Sequence, residues 1–355
     1  MAIRMTGFII SLFFSLISLN VKAQNIEWIR PAARTSPSVW GIKGGIVFSL
    51  WPYGVESGAN PFGGGPRGLI RLGHEYRGHI HLINFLAIEP VVNGKMEFSE
   101  ISPSRVDQHW GKLMWASDTD VPGTFVPYSI TRGVIDTPAA NVERLSIYVF
   151  MEKFGNGAHP YLRLSIRSDK PEELGIEIFQ QEGSAPMERC AITATMGNYA
   201  RLRNIYLKDE VISSTKLYAG YDDVHFAEKE SYPYTGFAKD KSGDFIVAAE
   251  TNESFAELAS WPQEPAYLNR INWRYRPAYK LTQYWRKEFS HFDTSLTLRV
   301  NGRAYYWSGG SRDKSHYIRI PGGAAFENFE LREKFFPGQK FYFGITRKPY
   351  AALLK

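Results

Sequence analysis

The chain has one cysteine, Cys190, among its 355 residues, so it lacks the paired cysteines of a disulfide framework. Its stability must therefore come from a large apolar core, which a chain of this length can bury. Cys190 stands in an apolar run beside Ala191 and Ile192 with no cysteine partner. We interpret it as a small buried residue rather than a nucleophile.

Compact catalytic signatures are missing as well. There is no Gly-rich phosphate loop, no GxSxG nucleophile elbow and no HExxH zinc motif. Basic residues exceed acidic ones by only 42 to 36, and they form no basic block. We therefore predict no cofactor and no nucleic-acid partner, while the mild positive charge favours anionic ligands.

Residues 1–23 have the pattern of a cleaved signal peptide. Arg4 provides a positive start, residues 8–19 are apolar but too short to span a bilayer, and small residues precede a cleavage site after Ala23. The sequence thus predicts a mature chain that begins at Gln24, is secreted or periplasmic, and has no membrane span.

Long stretches of helical period are scarce, and alternation with a period of two dominates. Short segments rich in Val, Ile, Phe and Tyr are separated by Gly, Pro, Asn and Asp turns, which is typical of a sandwich or jelly roll. We predict an all-β fold, a large antiparallel β-sandwich with few short helices, in one domain over residues 24–355. Two abutting sandwiches are the alternative, and residues 104–113 and 253–258 are the helix candidates. The predicted strands are 45–51, 68–76, 79–89, 145–151, 161–168, 175–180, 191–195, 200–207, 245–250, 295–300, 303–308, 317–320, 325–331 and 340–346.

Aromatic residues make up 15% of the chain, including 20 Tyr and 9 Trp. Most of these rings suit a β-rich core, and a few exposed ones would suit sugar recognition, because flat rings cover the apolar faces of pyranoses. Trp285 and Trp307 are the candidate substrate-binding rings.

The hairpin 68–89 carries polar residues on stripes that alternation makes apolar. His74 closes the stripe of Ile70 and Leu72, and Asn84 interrupts the stripe from Ile80 to Ile88. Buried polar groups need partners, so we regard His74 as a candidate base and Asn84 as a candidate substrate contact. His79 and His81 share one strand side and are weak metal candidates; the simpler reading, two solvent-facing histidines, is favoured.

Three other segments supply candidate chemistry. Tyr199, Arg201 and Arg203 alternate along one predicted strand, where arginine forks would hold a carboxylate and the tyrosine would act as a base. Glu327 falls on the apolar face of Phe329 and Leu331, where an acid needs a cationic partner or a raised pKa. His225 lies in a polar, aromatic loop and is the remaining candidate base.

Four runs, residues 39–46, 65–71, 83–90 and 321–330, resemble a family of secreted proteins from polysaccharide-degrading gene clusters of Bacteroidota-type bacteria. The resemblance implies a lyase or dehydratase that acts on uronic-acid-containing oligosaccharides, for example from algal ulvan. It transfers no catalytic motif to individual residues of this chain.

The predicted function is therefore a secreted carbohydrate-active enzyme, with elimination on an acidic oligosaccharide or polysaccharide as the first hypothesis. Arg201 or Arg203 would neutralise the uronate carboxylate, and His225, His74 or Tyr199 would take the proton. Glycoside hydrolysis by Glu327 with Glu89 or Glu230 is the alternative, and a non-catalytic binding protein is the third. We also expect at least three of His74, Asn84, Arg201, Arg203 and Glu327 to line one pocket with His225.

Overall fold

The computed structural model describes residues 26–32, 38–50, 67–122, 131–195, 201–251, 273–274, 281–305 and 319–355. Within these ranges the fold is nearly all β, and its strands form two large sheets. The predicted all-β class is confirmed. The predicted signal peptide lies outside the described residues.

The first sheet contains eleven of the described strands. Its main path runs β1-β2-β3-β4-β5-β12-β21-β20-β15, and β6 and β18 pair with β5. All of its pairs are antiparallel except that of β18 with β5. The bounds are β1 Trp28–Ile29, β2 Val39–Ile42, β3 Ile46–Leu50, β4 Ile70–Tyr76, β5 His79–Val92, β6 Lys95–Met96, β12 Arg189–Thr195, β15 Glu230–Pro233, β18 Trp273–Arg274, β20 Thr297–Arg303 and β21 Ala325–Arg332.

The second sheet also holds eleven described strands, in the order β14-β13-β17-β19-β22-β11-β10-β9-β7, with β8 on β9 and β16 on β17. The bounds are β7 Met114–Ser117, β8 Val134–Ala139, β9 Val142–Met151, β10 Pro160–Arg167, β11 Lys170–Gln180, β13 Asn204–Tyr206, β14 Val211–Ser213, β16 Ala238–Lys239, β17 Phe245–Glu250, β19 Thr282–Lys287 and β22 Gln339–Thr346. Two short α-helices, α1 Ser214–Leu217 and α2 Tyr350–Leu353, and one 3₁₀ turn, Tyr234–Gly236, complete the described elements.

Alternation builds the core, because every second residue of each strand turns toward the opposite sheet. Leu86 and Ile88 of the first sheet and Phe341 and Phe343 of the second belong to one apolar cluster, and all are fully buried. Cys190 is buried in the same cluster, and burial raises the pKa of its thiol. The interpretation of Cys190 as a small buried residue is confirmed.

Two β-bulges interrupt the alternation in the described part of the first sheet. On β5 the pairing with β4 shifts at Ile83, since Leu72 pairs with Asn84 and the next residue, Gly73, pairs with Leu82. On β21 it shifts at Glu327, since Asn301 pairs with Asn328 and Gly302 with Phe326. An extra residue reverses which side chains face the core beyond it.

The predicted helix 104–113 is wrong, because this segment forms turns within a loop that follows β6. The Arg67 guanidinium donates to the carbonyl oxygens of His109, Trp110 and Gly111 and holds the segment in this turn conformation. The predicted helix 253–258 lies outside the described residues. In the described ranges, no helix has the length and apolarity needed to cross a membrane.

One end of the core is closed by a buried ion pair. Lys287 at the end of β19 bonds Glu333, which directly follows β21, and both side chains are almost completely buried. The Lys287 ammonium also donates to the carbonyl oxygen of Lys340 (3.0 Å), while Glu333 accepts from the backbone N–H of Asp293 (2.8 Å). This pair therefore links the two sheets.

Candidate functional site

The outer face of the first sheet, the face turned away from the second sheet, carries a group of charged side chains. Strand register places Glu89, Ala191 and Arg332 in one row across β5, β12 and β21. The neighbouring row contains Thr193, Glu330 and Arg299, from β12, β21 and β20. Neighbouring rows on one face lie within reach of long side chains.

Burial of this face is unusual for polar residues. Glu89 is 2% exposed, and Glu330 and Thr193 are fully buried. Glutamate is almost never fully buried unless it is paired. The outer face is thus a covered polar surface, where the protonation of each carboxyl depends on its neighbours.

Glu330 is surrounded by cations. Its carboxylate lies 3.1 Å from the Lys229 ammonium, 3.5 Å from Nε of Arg332 and 3.7 Å from Nη1 of Arg299. These three side chains keep 25, 19 and 20% of their surface exposed, whereas Glu330 has none. Positive charge therefore lies between the buried acid and solvent.

Glu89 has the opposite environment. Burial, followed by the negative charges of Glu330 and Glu100, raises the pKa of Glu89 to about 8. Burial also raises the pKa of Glu100, from the loop after β6, to about 7. Glu89 thus keeps its proton at neutral pH beside Glu330, which is ion-paired as a carboxylate. We call Glu89, Glu100 and Glu330 the carboxylate cluster.

Each member of the carboxylate cluster has a buried oxygen that lacks a hydrogen-bond partner among the described residues: Oε2 of Glu89, Oε2 of Glu100 and Oε1 of Glu330. Oε1 of Glu330 is compensated by the charges of Arg332 and Arg299 at 3.5 and 3.7 Å. Buried polar atoms in native structures are nearly always satisfied, so the oxygens of Glu89 and Glu100 point to a bound water, a ligand or a reactive role. No group of three or more His, Cys, Asp or Glu in the described part of the chain is arranged to hold a metal ion.

The raised pKa of Glu89 predicts a pH-dependent stability. Between pH 4.5 and about 8 the folded chain holds a proton that the unfolded chain releases, so the stabilisation is complete below pH 4.5 and is lost as the pH rises toward 8. We expect urea unfolding to give a free energy lower by about 3 kcal/mol at pH 8.5 than at pH 5. Glu89→Gln should make this slope shallower but not abolish it, because Glu100, whose pKa is raised to about 7, contributes a slope of the same sign, and Glu27→Gln, at an exposed position, should leave it intact. An equal slope in both variants would contradict the assignment.

Of the sequence-predicted bases, His225 lies on an exposed loop between α1 and β15. Its backbone N–H donates to Oδ1 of Asp223 (2.9 Å), and its carbonyl oxygen accepts from the Tyr221 hydroxyl (3.1 Å). Tyr199 and the candidate ring Trp307 lie outside the described residues. The roles assigned to these three residues stay predictions.

Arg201, Arg203 and Glu327 are brought near one another. The backbone bridge between Leu202 and Phe326 places the segment of the two arginines beside the bulge at Glu327. The predicted strand 200–207 begins only at Asn204, so the two arginines precede it. The Arg203 guanidinium donates to three carbonyl oxygens, those of Pro321, Gly323 and Ala324. These bonds hold the turn 321–324 in place. Arg203 would have to break them before its guanidinium could contact a substrate.

His74, Asn84 and Trp285 are in the interior. The Asn84 amide donates to Oε1 of Gln283 (2.6 Å) across the core, and the Trp285 indole N–H donates to the carbonyl oxygen of Phe329 (2.8 Å). Both side chains are fully buried, and His74 is 2% exposed. Each of these two bonds joins one sheet to the other, so Asn84 and Trp285 act as links between the sheets. The shared pocket predicted for these residues stays a prediction.

The weak metal candidates are paired in the backbone ladder, His81 opposite His74 and His79 opposite Tyr76. Their own side chains lie outside the described part of the structure. Sequence reasoning found Glu89 as a candidate acid but missed Glu330, because alternation assigns it to an outer face that is normally solvated. Only the pairing of β21 with β12 and β20 could have revealed its neighbours.

Comparisons with known protein families, with curated proteins and with solved structures find no match for this chain. The resemblance to secreted proteins of polysaccharide-degrading gene clusters stays a prediction, and the carboxylate cluster with its three cations is the site on which a function has to be argued.

Proposed function

We propose that this protein is a secreted carbohydrate-active enzyme that acts on acidic oligosaccharides by acid–base catalysis at the carboxylate cluster. The observation that carries the proposal is the pairing of Glu89, whose pKa is raised to about 8, with the ion-paired carboxylate of Glu330. Two carboxyl groups whose environments favour different protonation states are the arrangement that acid–base enzymes use.

Hydrolysis of a glycosidic bond is the reaction that this pair supports best. Glu89 would act as the general acid, since it keeps its proton at neutral pH and can donate it to the leaving oxygen. Glu330 would act as the base that activates water, or as the nucleophile. Glu89 and Glu330 lie in adjacent rows of one buried face, so a substrate that displaces the side chains covering them would meet both carboxyl groups.

The cations argue for an acidic substrate. Lys229, Arg299 and Arg332 are the partly exposed groups of the site, and each lies within 3.7 Å of the Glu330 carboxylate. A sugar carboxylate or sulfate that approaches from solvent meets these groups first, and arginine forks bind such oxygens in pairs. Uronic-acid-containing chains are therefore the proposed substrate class.

Elimination on a uronate is the second candidate, and the same cations favour it. A lyase must neutralise the uronate carboxylate before the neighbouring proton is removed. Arg299 and Arg332, with a hydrogen bond from protonated Glu89, would supply this neutralisation. In elimination the Glu330 carboxylate would take the proton next to the uronate carboxylate, the bond to the leaving sugar oxygen would break, and solvent would protonate that oxygen. In both reactions the substrate charge meets the cations.

One assay distinguishes the reactions. The mature chain would be incubated with ulvan, polygalacturonate and neutral xylan oligosaccharides, and both reducing ends and ultraviolet absorbance would be recorded. New reducing ends without absorbance indicate hydrolysis, and absorbance from an unsaturated uronate indicates elimination. Binding without either signal would contradict the enzyme proposal and favour a binding protein.

Mass spectrometry of the exported chain tests secretion, which predicts Gln24 at its N-terminus.

A further inference from the structure

The loop that follows β6, residues 97–113, is held in place from within. The Arg67 side chain is 5% exposed, and its guanidinium binds both carboxylate oxygens of Asp107 at 2.6 Å. It also donates to the carbonyl oxygens of His109, Trp110 and Gly111 (2.9, 3.1 and 2.7 Å). Arg67 holds the pKa of Asp107 well below its usual range, so this anchor stays charged. The loop is thereby fixed before any ligand arrives.

On this fixed loop Trp110 is 72% exposed. Tryptophan is highly buried on average, so a ring this exposed on an anchored loop is a candidate ligand contact. Val106, on the same loop, is equally exposed at 72%. Because the backbone under Trp110 is tied down, a ligand that stacks on the ring causes little additional ordering of the loop.

A cleft of about 720 Å³ is lined by residues of the same loop, and Trp110 adjoins its wall through a neighbour in the backbone ladder. Pro103, which forms a backbone bridge with Trp110, belongs to its wall. Polar side chains make up about half of the same wall, with one acid and two basic groups among them: Glu97, Ser102, Ser104, Arg105, Gln108 and Lys112. The side chains of Arg105 and Gln108 make no hydrogen bond or ion pair with the described residues, so they are available to a ligand.

We infer that Trp110 and this cleft form a binding subsite for one pyranose unit of an acidic oligosaccharide, with the ring under the apolar sugar face and Arg105 on its carboxylate. The inference rests on the proposed function for the class of ligand. A flat ring next to hydrogen-bond donors matches a pyranose, which has an apolar face and a polar edge. The same loop supplies Glu100 to the carboxylate cluster, so a chain bound here leads toward the acids.

The test measures binding and turnover separately. Calorimetric titration with oligogalacturonate and ulvan oligosaccharides, and with xylohexaose as a neutral probe, would compare wild type with Trp110→Ala, Arg105→Gln and the control Val106→Ala. We expect Trp110→Ala to weaken binding of every probe that wild type binds by at least about tenfold. Arg105→Gln should weaken only the acidic probes, and Val106→Ala should match wild type.

Equal affinity of wild type and Trp110→Ala, or no binding of any probe by wild type, overturns the subsite. Binding to phosphatidylcholine–phosphatidylglycerol vesicles that Trp110→Ala and Val106→Ala both reduce also overturns it, in favour of a lipid surface. Trp110-dependent binding without turnover supports the subsite while the proposed enzyme fails. Turnover with an unchanged KM in Trp110→Ala supports the enzyme while the subsite fails.

Discussion

Replacing Glu89 by glutamine is expected to lower kcat by about 10²- to 10⁴-fold, the usual contribution of a general acid. Since Glu89 carries its proton at neutral pH, glutamine matches both its shape and its lack of charge. The urea midpoint at pH 5 should therefore remain close to that of wild type, and at pH 7 it should be higher than that of wild type, because the unfolded variant has no carboxyl to ionise at this position. A variant that keeps more than half of the wild-type kcat would show that Glu89 is not the acid.

Glu330→Gln provides the matched comparison. It should also abolish turnover, but it removes the negative charge that Lys229, Arg299 and Arg332 surround, so stability should fall as well. The control is Glu333→Gln, at an equally buried acid away from the cluster. At a temperature where that variant stays folded, its kcat should equal that of wild type. Loss of kcat in all three variants would point to a general effect of unfolding.

The second large effect is on stability, at the Lys287–Glu333 pair. Removing one partner by Lys287→Ala or Glu333→Gln should destabilise the fold by about 3–5 kcal/mol, because the remaining group is buried without compensation. Burial already lowers the pKa of Lys287, and the Glu333 charge opposes that shift. Urea denaturation at pH 7 with an unchanged m-value measures the loss.

The double variant Lys287→Met with Glu333→Leu completes this experiment. Apolar side chains of similar size avoid the burial of charge, so the double variant should recover most of the stability lost in the single ones. The ring centroids of Phe336 and Phe341 lie 5.4 and 4.5 Å from the Lys287 ammonium nitrogen. These rings offer apolar contacts for the new side chains. Single variants within 1 kcal/mol of wild type would show that the pair does not hold this end of the sandwich.

Sequence alternation predicted the fold class and most strand positions, and its errors have a local cause. The predicted stripe from Ile80 to Ile88 assumes an unbroken period of two, but the bulge at Ile83 leaves Asn84 facing the core and puts Ile80 with the outer cluster of Val47 and Phe85. A single extra residue is invisible to a period-two pattern.

The same reasoning explains Glu327. Alternation grouped it with Phe329 and Leu331, whereas the bulge at Glu327 lets both Phe326 and Phe329 face the core. The bulge accompanies Gly302, where a Cβ atom would meet the Tyr218 ring at 2.6 Å. Tyr218 lies more than eighty positions earlier in the chain, so no local pattern could reveal the contact.

The candidate site was less predictable than the fold. Glu89 and Glu330 are separated by 240 positions in the sequence, and only the pairing of β5, β12 and β21 places them in adjacent rows. Their burial depends on groups such as Lys229 and Glu100, which come from two further segments. Alternation identifies which face a residue takes but not what covers that face.

The position of β22 affects how the chain can fold. This strand lies between β19 and β11 in the middle of the second sheet, although it is the last strand in the chain. Until residues 339–346 have been synthesised, β11 and β19 each lack the hydrogen-bonded neighbour that β22 provides on one edge. The sheet therefore remains split into two halves. Contacts between segments so distant in sequence form slowly and leave strand edges exposed meanwhile. The second sheet can therefore close only after β22 has been synthesised, and until then the edges of β11 and β19 that β22 will cover stay without their partner.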